Sequence, residues 1–522
     1  MKKFNFFIEK KYNFLTLITI LLFSLLSLHI YQFVYDGHHH GLMLSNAIDL
    51  LNLKKPYTEI YIQYGFLTTI IHAIALILFG NNLFSLHLVT VIFYSFSIFF
   101  IFLIVKELIN KKIASITVFF LLFNHPVPWL PWSNYIAYFF IILSIFFIIK
   151  KSNYNYLWTG LFLGFCVLAR QDYFIPIFIT LFIYNLIYLL IDIKINKLFN
   201  SCKIIVGFIT PIFFFFIYLY SNGLFIIWKK YLILPSLYLE LNNVSILDYI
   251  INYIKFFLSD SFINFVNMPQ YLLISIILII NTLFLTIFIA RKQYSLIFIS
   301  VMSLSLSSVG ISTELFRLYT SVSVGIVVLV YIISNTKSNY VRKFSFFFLL
   351  SISIFSFTFY PLGNNKIFKK INIINQKNTP KSLLFTHNKW LNYKVSVLDK
   401  INHLKENILN NCKIEYAENL TFDNYFTNIL NLNRVRLVPH IKADVKNLRI
   451  DKFFNENFIS RINSLILQEN IIILVTGNNH IYESGNIIFN DMYTFKEIYL
   501  NSLNTKPQLL RFYYPSKCNI KS

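Results

Sequence analysis

Directly after the first long apolar run, the stretch YDGHHHGLML (Tyr35 to Leu44) places one aspartate and three consecutive histidines at a water–lipid boundary. A carboxylate there is partly desolvated, which suits Asp36 to act as a general base toward an acceptor hydroxyl or amine. The segment reads as a turn at Gly37 leading into a helix, with Asp36, His39 and His40 on one face at i, i+3 and i+4. His38, His39 and His40 could assist the base, hydrogen-bond a phosphate, or bind a divalent cation. The competing reading is an aspartate that caps the helix, beside interfacial histidines.

Three further segments carry charged or polar side chains of the right kind. PYTEIYIQYGFLTTIIHA sets Glu59, Gln63 and Tyr64 at the start of a short amphipathic helix, on which His72 reads as an aromatic interface anchor. GLFLGFCVLARQDYF sets Arg170 and Asp172 at the end of a later apolar run, and STELFRLYTS does the same for Glu314 and Arg317. An arginine at that depth suits a lipid phosphate, because its planar fork pairs with two oxygens at once. A local ion pair, such as Glu314 with Arg317 at i+3, is the simpler alternative.

What must position these groups is a membrane-embedded scaffold. The 522 residues are 56% hydrophobic and 13% charged, with mean hydropathy +0.60; a soluble chain carries roughly twice that charged fraction. Runs such as NFLTLITILLFSLLSLHIYQFV and YLLISIILIINTLFLTIFIA reach the ~20 apolar residues that cross a bilayer. Met1-Lys2-Lys3 leads straight into the first run with no small-residue cleavage site, as a retained span does. We place eleven spans: near 13–34, 84–105, 113–123, 135–149, 156–169, 174–191, 204–220, 271–290, 294–310, 319–334 and 344–360. The N-terminus is inside.

On this map 17 of the 24 Lys and Arg residues before Pro361 fall on the inner side, as the positive-inside rule requires. Counting Tyr64 to Gly80 as a twelfth span would swap the later loops and destroy that bias. The segment is therefore laid in the outer interface as a juxtamembrane helix. Of the eleven acidic residues before Pro361, eight lie on the outer side and none at mid-membrane. Ion-coupled transporters bury ionisable groups at mid-membrane, so this pattern counts against a pump. The charge of +23 is spread through loops between apolar runs, which argues against a nucleic-acid partner.

NHPVPWLPWSN (Asn124 to Asn134) reads as an outer loop, and the outer segment 221–270 holds another juxtamembrane helix around GLFIIWKKYLILP, with Lys229 and Lys230. Beyond Pro361 no spanning run occurs. Residues 361–522 read as an outer soluble α/β domain with a strand at NIIILVTG, a helix at KVSVLDKINHLKENILN, and Cys412 and Cys518 available for a disulfide.

A first span, an outward loop opening on an aspartate motif, YxxxxYGFL before an amphipathic helix, ARQDYF after two later spans, an outer ExxRxY and a soluble tail follow in order. Together they resemble the GT-C fold glycosyltransferases, in the bacterial branch of protein mannosyltransferases and aminoarabinose lipid A transferases. The resemblance covers most of Met1 to Tyr360. It implies a polytopic α-helical catalytic domain (1–360) with a periplasmic α/β domain (361–522) in a bacterial inner membrane. It also implies an inverting transfer from a polyprenyl-phosphate sugar to a glycolipid, polysaccharide or protein acceptor.

By that resemblance Asp36 is the base, with His39 and His40 beside it. His38, Glu59, Gln63, Tyr64, Arg170, Asp172, Glu314 and Arg317 line the substrate site, and Arg170 and Arg317 hold the donor phosphate. The family's loop often carries paired acids, whereas here Gly37 and three histidines follow Asp36. That departure leaves the use of a divalent cation (Mg or Mn) open. A transporter or flippase of lipid-linked saccharides is the alternative; it would need a polar path through the membrane. A metal sensor built on HHH is weaker, since three adjacent histidines on a helix cannot all face one ion.

Overall fold

The structure is a computed structural model and describes residues 2–30, 37–58, 60, 62, 64–124, 131–150, 152, 154–191, 195–232, 251, 254, 269–309 and 315–357. It also describes the strands at 413–417, 433–435, 471–476, 493–500 and 508–515. The helices are α1 (Lys2–Ile30), α2 (Gly37–Leu51), α3 (Phe66–Phe79), α4 (Leu83–Leu108), α5 (Lys111–Asn124), α6 (Ser133–Lys150) and α7 (Asn155–Ala169). They continue as α8 (Phe174–Leu190), α9 (Ile195–Ser221), α10 (Phe225–Leu232), α11 (Pro269–Ala290), α12 (Tyr294–Leu306), α13 (Leu315–Ser334) and α14 (Asn339–Phe357).

Each of the eleven expected spans falls on one of these helices. Among the described residues five helical segments are long and apolar enough to cross a membrane, at Leu83–Leu108, Ser133–Lys150, Gln171–Leu190, Ile195–Ser221 and Tyr271–Ala290. The chain is a multi-pass membrane protein. The segment withheld from the span count forms α3, 14 residues long; at 1.5 Å per residue it covers about 21 Å, short of a bilayer core. Two expectations shift at their edges. Gly37 is already helical, with no turn of its own, and Asn124, Ser133 and Asn134 belong to α5 and α6 and not to the loop between them.

Contacts sort the helix ends into two layers. Glu107 and Lys150 pair at 2.9 Å, so the C-terminal ends of α4 and α6 lie together. Lys197 donates to the Tyr294 hydroxyl at 2.5 Å and lies 5.0 Å from the Tyr188 ring centre, which joins the ends of α8, α9 and α12. The opposite ends of α6 and α8 carry Ser133 and Tyr173.

In a bilayer helices gain little from burying apolar surface against each other, so close packing and hydrogen bonds must associate them. Both appear. Ser303 and Ser321 each donate to the other's carbonyl oxygen, at 2.8 and 2.6 Å, locking α12 to α13. Thr16 meets Ser115 at 2.9 Å and Ser24 meets Ser95 at 2.6 Å, tying α1 to α5 and α4.

The tightest approach is between α7 and α9. A Cβ on Gly160 would strike the Ile204 carbonyl oxygen and the Phe208 nitrogen (2.7 Å). One on Gly207 would strike the Leu157 carbonyl oxygen and the Leu161 nitrogen (2.9 Å), and the Pro211 ring fills the notch at Gly164. These obstacles are backbone, which cannot rotate aside. Gly207→Val is therefore expected to part the two helices and to remove most of the detergent-stable monodisperse protein on size-exclusion chromatography. Gly223→Val, with nothing within 4 Å of its Cβ, is the control for expression; its positive φ costs about 1 kcal/mol.

The described strands form one mixed sheet in the order β2-β1-β3-β5-β4, from β1 (Lys413–Ala417), β2 (Asn433–Val435), β3 (Ile471–Thr476), β4 (Tyr493–Leu500) and β5 (Gln508–Pro515). β1 pairs in parallel with β2 and β3, while β5 is antiparallel to β3 and β4. The central β3, IIILVT, is the strand expected at NIIILVTG, and its unbroken apolar run suits a strand covered on both faces. The expected helix at KVSVLDKINHLKENILN, and Cys412 and Cys518, lie outside the described residues.

Candidate functional site

Two of the motifs that stand 106 residues apart in sequence meet in space. The chain leaves α7 at Arg170, whose N–H caps the helix on the Cys166 carbonyl (2.9 Å), and then makes a single 3-10 turn, Gln171–Tyr173, before α8. The segment that precedes α3 docks on this turn. Gln171 N–H donates to the Tyr64 carbonyl oxygen at 2.9 Å, and the Thr68 hydroxyl donates to the Ala169 carbonyl oxygen at 2.7 Å. The fit depends on Gly65: a Cβ there would collide with the carbonyl oxygens of Ala169 and Leu168 (2.5 Å for the latter). Glycine stands between Tyr64 and Phe66 because two backbones touch.

Arg170 is the centre of the junction. Its side chain is 4% exposed and forms a bidentate pair with Asp172, which is 24% exposed. Nε donates to Oδ1 at 2.6 Å and Nη2 to Oδ2 at 2.7 Å. Nη1 reaches the Ser133 hydroxyl oxygen on the first turn of α6 at 3.5 Å. The guanidinium lies 5.1 Å from the Tyr64 ring centre and 5.9 Å from that of Tyr173.

Burial alone would lower the pKa of Arg170, but the Asp172 charge and hydrogen bonds, with smaller help from Tyr173 and Tyr64, outweigh it and leave it above the ordinary value. The group is a fixed cation. A guanidinium has five N–H donors; among the described residues three are engaged, which leaves one on Nη1 and one on Nη2 for an anion.

The same junction receives α13. The Tyr173 hydroxyl lies 3.0 Å from that of Thr320, and Arg317 stands three residues earlier in the first turn of α13. Arg317 is thus brought by its backbone to the layer that holds Arg170; its side chain, and Glu314, lie outside the described residues. So do Asp36, Glu59 and Gln63. His38, His39 and His40 occupy the first turn of α2, with side chains outside the description.

The loop from α2 to Tyr64 is tightly held. Asp49 pairs with Lys54 at 3.1 Å, Tyr57 is buried at φ 65°, and its N–H donates to the Ile60 carbonyl oxygen at 2.9 Å. A bulky residue in the left-handed region stores about 1–2 kcal/mol, so the backbone beside Glu59 is set against its own preference. Among the described residues no three His, Cys, Asp or Glu side chains stand together as a metal site would need.

Ser133, Thr68, Tyr173 and Thr320 belong to the junction, although nothing in their spacing marks them. His72 is a correction. It is fully buried on the face of α3 that also carries Thr68, Thr69 and Leu76, and is no interface anchor. Among the described residues neither ring nitrogen has a hydrogen-bond partner. Desolvation holds the imidazole neutral, with a pKa of about 3 against 6.5 when free.

The unfolded chain therefore binds the extra proton between those values, so stability is complete above about pH 6.5. It falls by about 1.4 kcal/mol per unit as pH drops toward 3. Thermal melts in detergent at pH 7.5 and 5.0 should show the loss in the native protein and a shallower loss in His72→Leu.

Next to the junction, an apolar groove of about 430 Å³ runs between α3, α7 and α9, lined by Phe66, Leu67, Ile70, Leu161, Phe165, Leu168, Thr210, Pro211, Phe214, Phe215 and Tyr218. Phe66 and Leu168 bring its wall within two residues of Tyr64 and Arg170. Phe66 stacks on Tyr218 at 5.4 Å.

No family model matches the chain, and no curated protein matches it in sequence. Solved structures do. The crystal structure of ArnT from Cupriavidus metallidurans in the apo state matches with a TM-score of 0.55 at 10% identity, over 97% of this chain and 98% of that one. ArnT from the same organism bound to undecaprenyl phosphate matches with a TM-score of 0.54 at 10% identity, over 96% and 98%. An oligosaccharyltransferase from Archaeoglobus fulgidus in the apo form aligns more loosely, with a TM-score of 0.47 at 11% identity, over 88% and 69%. The chain thus shares a polytopic helical fold with ArnT over nearly the whole length of both.

Proposed function

We propose that the protein is a membrane glycosyltransferase that moves a sugar from a polyprenyl-phosphate donor to an acceptor hydroxyl or amine at the outer face of a bacterial inner membrane. The observation that carries the reading is a buried, permanently charged arginine, with two N–H donors unused among the described residues, close to an apolar groove. A donor with a phosphate between a sugar and an isoprenoid tail has the chemistry for both halves. The shared fold supports the same class, and the ArnT structure with undecaprenyl phosphate supplies a chemical parallel.

In this reading Arg170 and Arg317 offset the charge that the phosphate gains as the bond from the anomeric carbon to oxygen breaks. Asp172 holds the Arg170 fork in orientation. Asp36 takes the proton of the acceptor, with His39 and His40 beside it, while His38, Glu59, Gln63, Tyr64 and Glu314 complete the substrate site. The acceptor attacks from the face opposite the phosphate and inverts the anomeric centre, and the phosphate leaves on the lipid. A lipid phosphate is already a good leaving group, so positioning and charge neutralisation do most of what is required.

The outer side is read as periplasm, with the N-terminus cytoplasmic. Residues 1–360 are read as the catalytic domain and 361–522, which contain the five-stranded sheet, as a periplasmic domain. Membranes containing the protein should transfer radiolabel from a panel of polyprenyl-phosphate sugars to endogenous glycolipid, polysaccharide or protein, and should not do so from nucleotide sugars. Transfer from no lipid-linked donor, or from nucleotide sugars alone, would contradict the reading.

A further inference from the structure

One side chain at the junction has chemistry that the contacts described so far do not use. Asn134 follows Ser133 on the first turn of α6, is 3% exposed, and has neither Nδ2 nor Oδ1 hydrogen-bonded among the described residues. An enclosed carboxamide with all of its hydrogen bonds unmade is costly and rare in a folded protein. The neighbouring Ser133 hydroxyl touches the Arg170 guanidinium, so Asn134 follows in sequence the residue that meets the group assigned to the donor phosphate.

The amide offers two donors at nitrogen and an acceptor at oxygen. A phosphate, which only accepts, would leave Oδ1 unpaired; an ammonium, which only donates, would leave Nδ2 unpaired. A hydroxyl both donates and accepts, and two adjacent ring hydroxyls would satisfy both ends of the amide. We propose that Asn134 is a specificity-determining residue that reads two adjacent hydroxyls of the sugar on the lipid-linked donor. The inference rests on the proposed function and adds the feature of the substrate that is read at this contact: a pair of neighbouring ring hydroxyls. Because Asn134 is enclosed in the ligand-free chain, the headgroup must part the outer end of α6 as it binds.

The test uses full-length protein in nanodiscs. Binding of bare undecaprenyl phosphate is compared with binding of the same lipid carrying members of a panel of neutral hexoses and pentoses, or an amino-pentose, in the native protein and in Asn134→Leu. The native protein is expected to prefer one of the sugar-bearing lipids over the bare lipid by about tenfold or more, the size of one buried hydrogen bond to a sugar. Asn134→Leu should abolish that preference, leave bare-lipid affinity unchanged, and melt no lower than the native protein, since it removes an unpaired amide.

A preference that survives in Asn134→Leu would overturn the assignment. A joint fall of melting temperature and bare-lipid affinity would do so too, by marking Asn134 as structural. Failure of the native protein to bind even the bare lipid would remove the proposed function itself, and this inference with it.

Discussion

Arg170→Ala should destabilise the protein by roughly 2–4 kcal/mol, near the lower end for breaking a buried pair because Asp172 keeps about a quarter of its side chain in contact with solvent. The loss is not confined to one bond. Asp172 would keep its charge at the junction with neither N–H partner, Ser133 would lose its neighbour, and the faces of Tyr64 and Tyr173 would lose their cation. Arg170→Lys keeps the charge but cannot make two parallel hydrogen bonds, so it should recover only part of the stability.

The pair can be separated from the chemistry. Arg170→Gln with Asp172→Asn replaces the ion pair with two amides that can still hydrogen-bond, and should restore much of the melting temperature. If Arg170 holds the donor phosphate, transfer stays lost in that double variant, whereas a purely structural arginine would give activity back along with stability. Melting curves and initial transfer rates on the same detergent preparations decide between the two.

Much of this site was legible as pieces. YGFL and ARQDYF stand out because charged and aromatic residues at the ends of apolar runs are scarce, and those positions are where a membrane enzyme keeps its polar groups. What the pattern could not show is that the two pieces touch, because the contact is between backbones: Gln171 N–H on the Tyr64 carbonyl and Gly65 against Ala169.

Ser133, Thr68 and Thr320 were invisible for a related reason. A lone Ser or Thr near a helix end is ordinary in any membrane protein, and only its partner gives it meaning. The choice between a free arginine and a local ion pair was open for both arginines; Arg170 shows the pair, with Asp172 at i+2, a spacing that an α-helix does not bring together and that the extended backbone at Arg170 does. His72 was misread because α3 is apolar nearly all round, so periodicity could not tell the face that packs on protein from the face that meets lipid. The apolar runs expected to span were legible as helices since each is bounded by charged or polar residues, and the choice to keep α3 out of the span count rested on charge bias, not on hydropathy.

The second large effect concerns Asp36, and it bears on the central claim. A general base contributes about 10²–10⁴-fold to a transfer of this kind. Asn is close in shape to Asp and is an equally good helix cap, so Asp36→Asn removes the base and spares an anchoring role ahead of α2. The measurement is the initial rate of transfer from the preferred radiolabelled polyprenyl-phosphate sugar, in membranes matched for folded protein, with native chain and Asp36→Asn side by side. Incorporation by the native chain that falls by about 10²-fold or more in Asp36→Asn is the result expected of a transferase with its base at that position. Equal incorporation by the two would contradict it and return YDGHHHG to a structural cap.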